Sequence, residues 1–153
     1  MVGRTVCLFS LLFLFVPIPG RAAWPPNGNT LCNLYGDQRY PAVIGDGNGG
    51  AYVVWTDFRT LGTWQLYAQH VDALGNPTLA KNGVLLSGGM VATSSLPPVV
   101  VSDGSTGIFV AWSEAVTNPN YRIRAQWITP GGAQWSPGGV LVWAAISRWL
   151  MPL

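Results

Sequence analysis

Pro41-Ala-Val-Ile-Gly-Asp46-Gly-Asn-Gly-Gly50-Ala-Tyr-Val-Val-Trp55-Thr-Asp57 reappears, changed but legible, as Pro97-Pro-Val-Val-Val-Ser-Asp103-Gly-Ser-Thr-Gly107-Ile-Phe-Val-Ala-Trp112-Ser-Glu114. With one residue inserted before the second Asp-Gly, Asp46 aligns with Asp103, Gly47 with Gly104, Gly50 with Gly107, Trp55 with Trp112 and Asp57 with Glu114, at an offset of 57. The register survives the loop that follows. Ala68-Gln-His70-Val falls on Ala125-Gln-Trp127-Ile, and Gly83-Val-Leu-Leu falls on Gly139-Val-Leu-Val after a one-residue deletion. Agreement at turn glycines and tryptophans so far apart marks a tandem repeat. The chain therefore divides into repeat 1 over residues 31–86 and repeat 2 over residues 87–142, after a linker over residues 23–30.

Each repeat holds four apolar runs. They are Pro41 to Ile44, Ala51 to Thr56, Leu66 to Asp72 and Val84 to Leu86, then Val99 to Val101, Ile108 to Ser113, Ile123 to Thr129 and Val140 to Val142. Runs of this length predict strands and are too short for helices. Asp46-Gly47 and Asp103-Gly104 supply residues that tolerate positive φ, so the first two runs of each repeat should close as a hairpin. The expected fold is all-β, built from tandem four-stranded antiparallel units.

The stretch at residues 41–59, with Tyr67-Ala-Gln-His70-Val-Asp72 and Gly75 after it, resembles repeats of large secreted bacterial β-propeller proteins of the sialidase-like sort. That resemblance implies two propeller blades of an incomplete ring. In repeat 2, Arg59 gives way to Val116 and the glycine-rich turn gains Thr106, and neither copy holds the Ser-x-Asp-x-Gly-x-Thr-Trp box of that family. The resemblance thus implies blade architecture more than an activity. About four to eight blades close a propeller. Residues 142–152 can be laid without a gap on residues 31–41, so the tail over residues 143–153 reads as the start of a third repeat, cut short. Its apolar residues, Trp143 and Trp149 among them, and the blade edges would otherwise serve self-association.

The 153 residues carry only 9% charged side chains and a formal charge of +2. Residues 1–22 carry Arg4, an apolar run from Val6 to Val16, a Pro-rich break, and the small residues Gly20 and Ala22 at peptidase positions. This predicts a signal peptide cut before Ala23 and a secreted or cell-envelope location. The run falls short of the ~20 apolar residues that span a bilayer, so no stable membrane span is expected. Without Arg4 and Arg21, six basic residues face six acids, and no basic stripe remains to follow a nucleic acid backbone. Cys7 leaves with the peptide, making Cys32 the only mature thiol and excluding an intramolecular disulfide.

Candidate chemistry is sparse. Asp46 and Asn48 set oxygens at alternate positions, as a calcium loop does, and Asp103 with Ser105 repeats the idea. Calcium wants about six to eight oxygens and commonly a bidentate acid further on. A hairpin turn explains both copies without a metal, and no cofactor is expected. Asp57 and Glu114 are the most generous case for a carboxylate pair of a glycoside hydrolase. Arg59 beside the first, and Arg122 and Arg124 after the second, instead predict local ion pairs at a solvated hairpin edge. His70 has Trp127 as its counterpart, so the position calls for a flat, partly buried ring rather than a catalytic base. Trp55 and Trp112 are expected in the core, while the loop tryptophans Trp64 and Trp135 are candidate platforms for a glycan or protein at the cell surface. The expected function is non-catalytic binding or surface scaffolding. The alternative is a fragment of a sialidase-like or other glycan-acting hydrolase.

Overall fold

The computed structural model describes residues 24–60, 62–91, 97–117 and 120–144. The signal peptide expected over residues 1–22 and the part of the tail after Ala144 lie outside them. The protein is all-β, with no helix among the described residues and hence none long and apolar enough to cross a membrane. One antiparallel sheet orders β1 (Gln38–Gly45), β2 (Ala51–Thr60), β3 (Thr63–Val71) and β4 (Val84–Leu85) side by side. The second orders β5 (Val99–Ser102), β6 (Ile108–Thr117), β7 (Asn120–Thr129) and β8 (Gly132–Ala133), with β9 (Val140–Ala144) also paired to β7. Both sheets are open.

All eight expected runs are strands or contain them. The fifth strand of the second sheet arises because two short strands share the outer edge of β7. Ala133 pairs with Ile128 near one end and Val140 with Ala125 further along. The first sheet keeps only a bridge, Val71 to Pro77, where β8 would lie. β9 continues through Trp143 and Ala144.

Strand register corrects one detail of the repeat. Val43 faces Val53, and Val100 faces Val110, so the offset of 57 already holds within the first strand. The extra residue sits before Pro98 and not next to the Asp-Gly turn. A slip inside the strand would have turned every side chain of β5 to the opposite face. The one-residue deletion before the last strand is as expected, since Val84 faces Ala68 and Val140 faces Ala125.

The two sheets share one core. Tyr52 and Val54 of β2 with Leu66 and Ala68 of β3 form one side, and Ile108, Val110 and Trp112 of β6 with Ile128 of β7 form the other. Alternation along a strand sends successive side chains to opposite faces. On the repeat alignment Ile108, Val110 and Trp112 correspond to Ala51, Val53 and Trp55, whereas Tyr52 and Val54 correspond to Phe109 and Ala111. Unlike faces of like units are therefore in contact. The Tyr52 hydroxyl donates to the Thr106 carbonyl at 2.8 Å and ties the first sheet to the turn of the second.

Met90 and Val91 stitch the units together along the chain. The Val91 amide donates to Trp64 in the first sheet, while the Met90 carbonyl accepts from Ala115 in the second.

Candidate functional site

The chemistry-bearing side chains gather in two networks, each present once per sheet. The first begins at the β1–β2 turn. Asp46 Oδ1 accepts the amides of Asn48 at 2.7 Å and Gly50 at 2.9 Å, and Oδ2 lies 2.9 Å from His70 Nε2. Burial alone would raise the Asp46 pKa, but His70 and the two amides outweigh it and hold the carboxyl below its ordinary range. In the second sheet Asp103 Oδ1 accepts the amides of Ser105 and Gly107, and Oδ2 accepts the Trp127 indole at 2.9 Å. Indole nitrogen can only donate. The position shared by His70 and Trp127 thus requires a ring N–H aimed at the turn acid, a stricter demand than a flat ring. Thr78 Oγ1, at 2.6 Å from His70 Nδ1, fixes the ring from its other side. A Cβ on Gly50 or Gly107 would overlap the acid and a carbonyl of the neighbouring strand, which is why both copies keep glycine there.

The second network lies at the far end of β2 and β6. Asp57 is fully buried. Its Oδ2 accepts Arg59 Nη2 at 2.6 Å and the Trp55 indole at 2.9 Å, and its Oδ1 accepts the Arg59 amide. Burial is the largest single influence on Asp57, yet these donors together hold its pKa down. Arg59 also donates to the Asn82 carbonyl at 2.8 Å and lies 3.6 Å above the Tyr67 ring. Burial lowers the Arg59 pKa, and Asp57 more than reverses it.

In the second sheet Glu114, also fully buried, takes Oε2 to Arg122 Nε and, at 2.7 Å, to Arg124 Nε. Arg124 reaches the carbonyls of Gly138 and Gly139 at 3.0 Å. Each sheet thus joins a buried acid, through a guanidinium, to the turn before its last strand. The guanidinium comes from β2 in one copy and from β7 in the other, where Arg124 replaces Tyr67.

These pairs were expected at a solvated edge. They are interior instead, with Asp57 against the Trp55 indole and both acids beneath a covering chain segment. Cys32 Sγ lies 3.9 Å from Asp57 Oδ2, and a side chain on Gly89 would collide with Glu114. In the second copy Trp112 Nε1 and Glu114 Oε1 are buried without a hydrogen-bond partner among the described residues.

The remaining acids are also engaged. Asp37 pairs with Arg39 at the surface. Asp72 accepts the amides of Leu74 and Asn76, and the Asn76 amide chiefly lowers its pKa. Among the described residues no group of three or more His, Cys, Asp or Glu side chains could hold a metal. At the calcium candidate, both Asp46 oxygens already meet N–H donors, and Asn48 contributes its amide.

Of the two candidate platforms only Trp64 departs from its expected place in a loop. Trp64 belongs to β3, not to a loop, and is half-buried between Phe58, at 4.9 Å between ring centroids, and Arg39, at 5.1 Å. Trp135, outside the strands, stacks on Phe109 at 5.8 Å, and Phe109 meets Trp127 at 6.2 Å. The Trp135 amide donates to Gln126 Oε1 as Leu79 donates to Gln69 Oε1, so Trp135 is the counterpart of Leu79.

Comparison of the chain with protein-family models, curated proteins and solved structures gives no match.

Proposed function

We propose that the chain is a secreted, non-catalytic β-propeller-type repeat module that serves binding or surface scaffolding, its two sheets acting as blades of an incomplete ring. Its partner on this reading is a protein or a glycan of the cell surface. The observation that carries the proposal is the employment of all six acids of the chain. Each is hydrogen-bonded to donors of its own unit, and the two most buried, Asp57 and Glu114, are neutralised by arginines. A hydrolase carboxylate has to face substrate across a scissile bond. Here Asp57 and Glu114, the most generous candidates for such a pair, would have to leave their buried places to do so.

The test is incubation of the purified mature chain with fluorogenic sialosides and a panel of aryl glycosides. The expected result is no release above the buffer blank. Turnover that D57N or E114Q removes, in variants that keep the β-sheet circular dichroism spectrum, would overturn the proposal.

A further inference from the structure

The packing of the first sheet on the second states what each sheet binds, and counterparts of both halves of that interface lie on the outer faces, the second sheet's uncovered and the first sheet's open over β1 and the start of β2. In the first sheet the face carrying Ile44, Tyr52, Val54, Leu66 and His70 is sealed by the second sheet, Tyr52, Val54 and Leu66 at 0% exposure. The same face of the second sheet carries Val99, Val101, Phe109, Ile123, Trp127 and Trp135. Nothing covers it among the described residues, and Val99 is 63% and Val101 51% exposed. Trp135 stands there for Leu79, which packs against the core between the sheets. Conversely, the face by which the second sheet is bound, built on Val100, Val110 and Trp112, corresponds in the first sheet to Val43, Val53 and Trp55. Val43 is 63% exposed, and Val53 and the buried Trp55, with Leu31, Cys32, Gln38, Arg39 and Pro41, line an open cleft of about 230 Å³, while Gln69 and Val71 on the same face are buried.

We propose that these two outer faces bind each other between copies of the chain, so that the outer face of the second sheet in one copy docks on the outer face of the first sheet in the next. The occupant is a second copy because the two outer faces are the counterparts of the two faces already joined inside the chain. Charge does not oppose the contact: the residues named on the second sheet's face are uncharged, and Arg39, the charged residue lining the cleft, is paired with Asp37. A contact between unlike patches propagates, closing into a ring or growing as a filament. With about four to eight units closing a propeller, the closed form holds about two to four chains. Val101, the counterpart of Ile44, then lies beside Val43 of the next copy, the counterpart of Val100. The proposal rests on the repeat reading of the chain and is independent of whether the protein has an enzymatic activity.

The test is native mass spectrometry and multi-angle light scattering of the mature chain at high micromolar concentration. A discrete assembly of two to four chains is expected. V43E and W135E, placed on opposite faces, should each give monomers, and an equal mixture of the two should give a one-to-one dimer through the single intact pair of faces. Circular dichroism checks that each variant is folded. Should either fail to fold, V43C mixed with V101C is expected to give a mixed disulfide between chains that neither variant gives alone. A monomeric wild-type chain, disruption by only one of the two glutamates, or absence of both the mixed dimer and the mixed disulfide would overturn it. Hydrolysis of a glycoside would leave this result untouched, so the two proposals fail separately.

Discussion

At the scale of single residues, the acids act as structural anchors whose charge the fold depends on. The carboxyls of Asp46, Asp57 and Asp103 are all held below their ordinary value by donors from their own unit. A folded pKa below the unfolded one contributes stability that is complete above the unfolded value, about 4. That contribution is lost as pH falls through the folded value. The urea midpoint should therefore drop steeply below about pH 4. In D103N, where an amide replaces the acceptor facing the Trp127 indole, the drop should be shallower and the stability at neutral pH lower. A D103N chain with an unchanged acid limb would contradict the anchoring role. His70 shows how far such roles can be read from sequence. Its alignment with Trp127 exposed the need for a ring. The hydrogen donated to the turn acid became visible only when strand pairing brought β3 and the β1–β2 turn together.

At the scale of elements, the two sheets solve one problem from different strands. A buried acid at the end of the second strand needs a guanidinium that also reaches the turn before the last strand. β2 supplies it as Arg59 beside Tyr67, and β7 supplies it as Arg124 where β6 carries Val116. In sequence the change of Arg59 to Val116 looks like a departure from the repeat. The signal that it is compensated was present in the paired change of Tyr67 to Arg124. It could not be recognised without knowing that these two positions project from neighbouring strands onto one face.

The swap can be tested directly by chemical denaturation. R59V strands a buried Asp57 without its partner and should cost about 3–5 kcal/mol. Adding Y67R transplants the arrangement of the second sheet into the first and should recover a substantial part of that loss, a coupling that a double-mutant cycle measures. A double variant no more stable than R59V would refute the equivalence. The strands themselves were legible because β-branched runs alternate with Asp-Gly turns. The division of the β7 edge between β8 and β9 was not, because two-residue strands carry no periodic pattern.

At the scale of the whole molecule, the chain is two like units packed through unlike faces. Composition and repeat spacing announce the units. The faces in contact are set by strand register, and a shift of one residue in β5 would have turned Val100 away from the core. This packing polarity makes each outer face the counterpart of a joined one, and on the proposed docking Trp135 would take the place that Leu79 holds between the sheets.

The most direct test of this packing is a methyl and aromatic NOE map of the isotopically labelled mature chain. The account requires contacts from Tyr52 and Val54 to the Ile108, Val110 and Ile128 methyl groups, and from Ile44 to Val100. Cross-peaks joining Tyr52 and Val54 to Phe109 and Ala111 instead would place like faces together and contradict it.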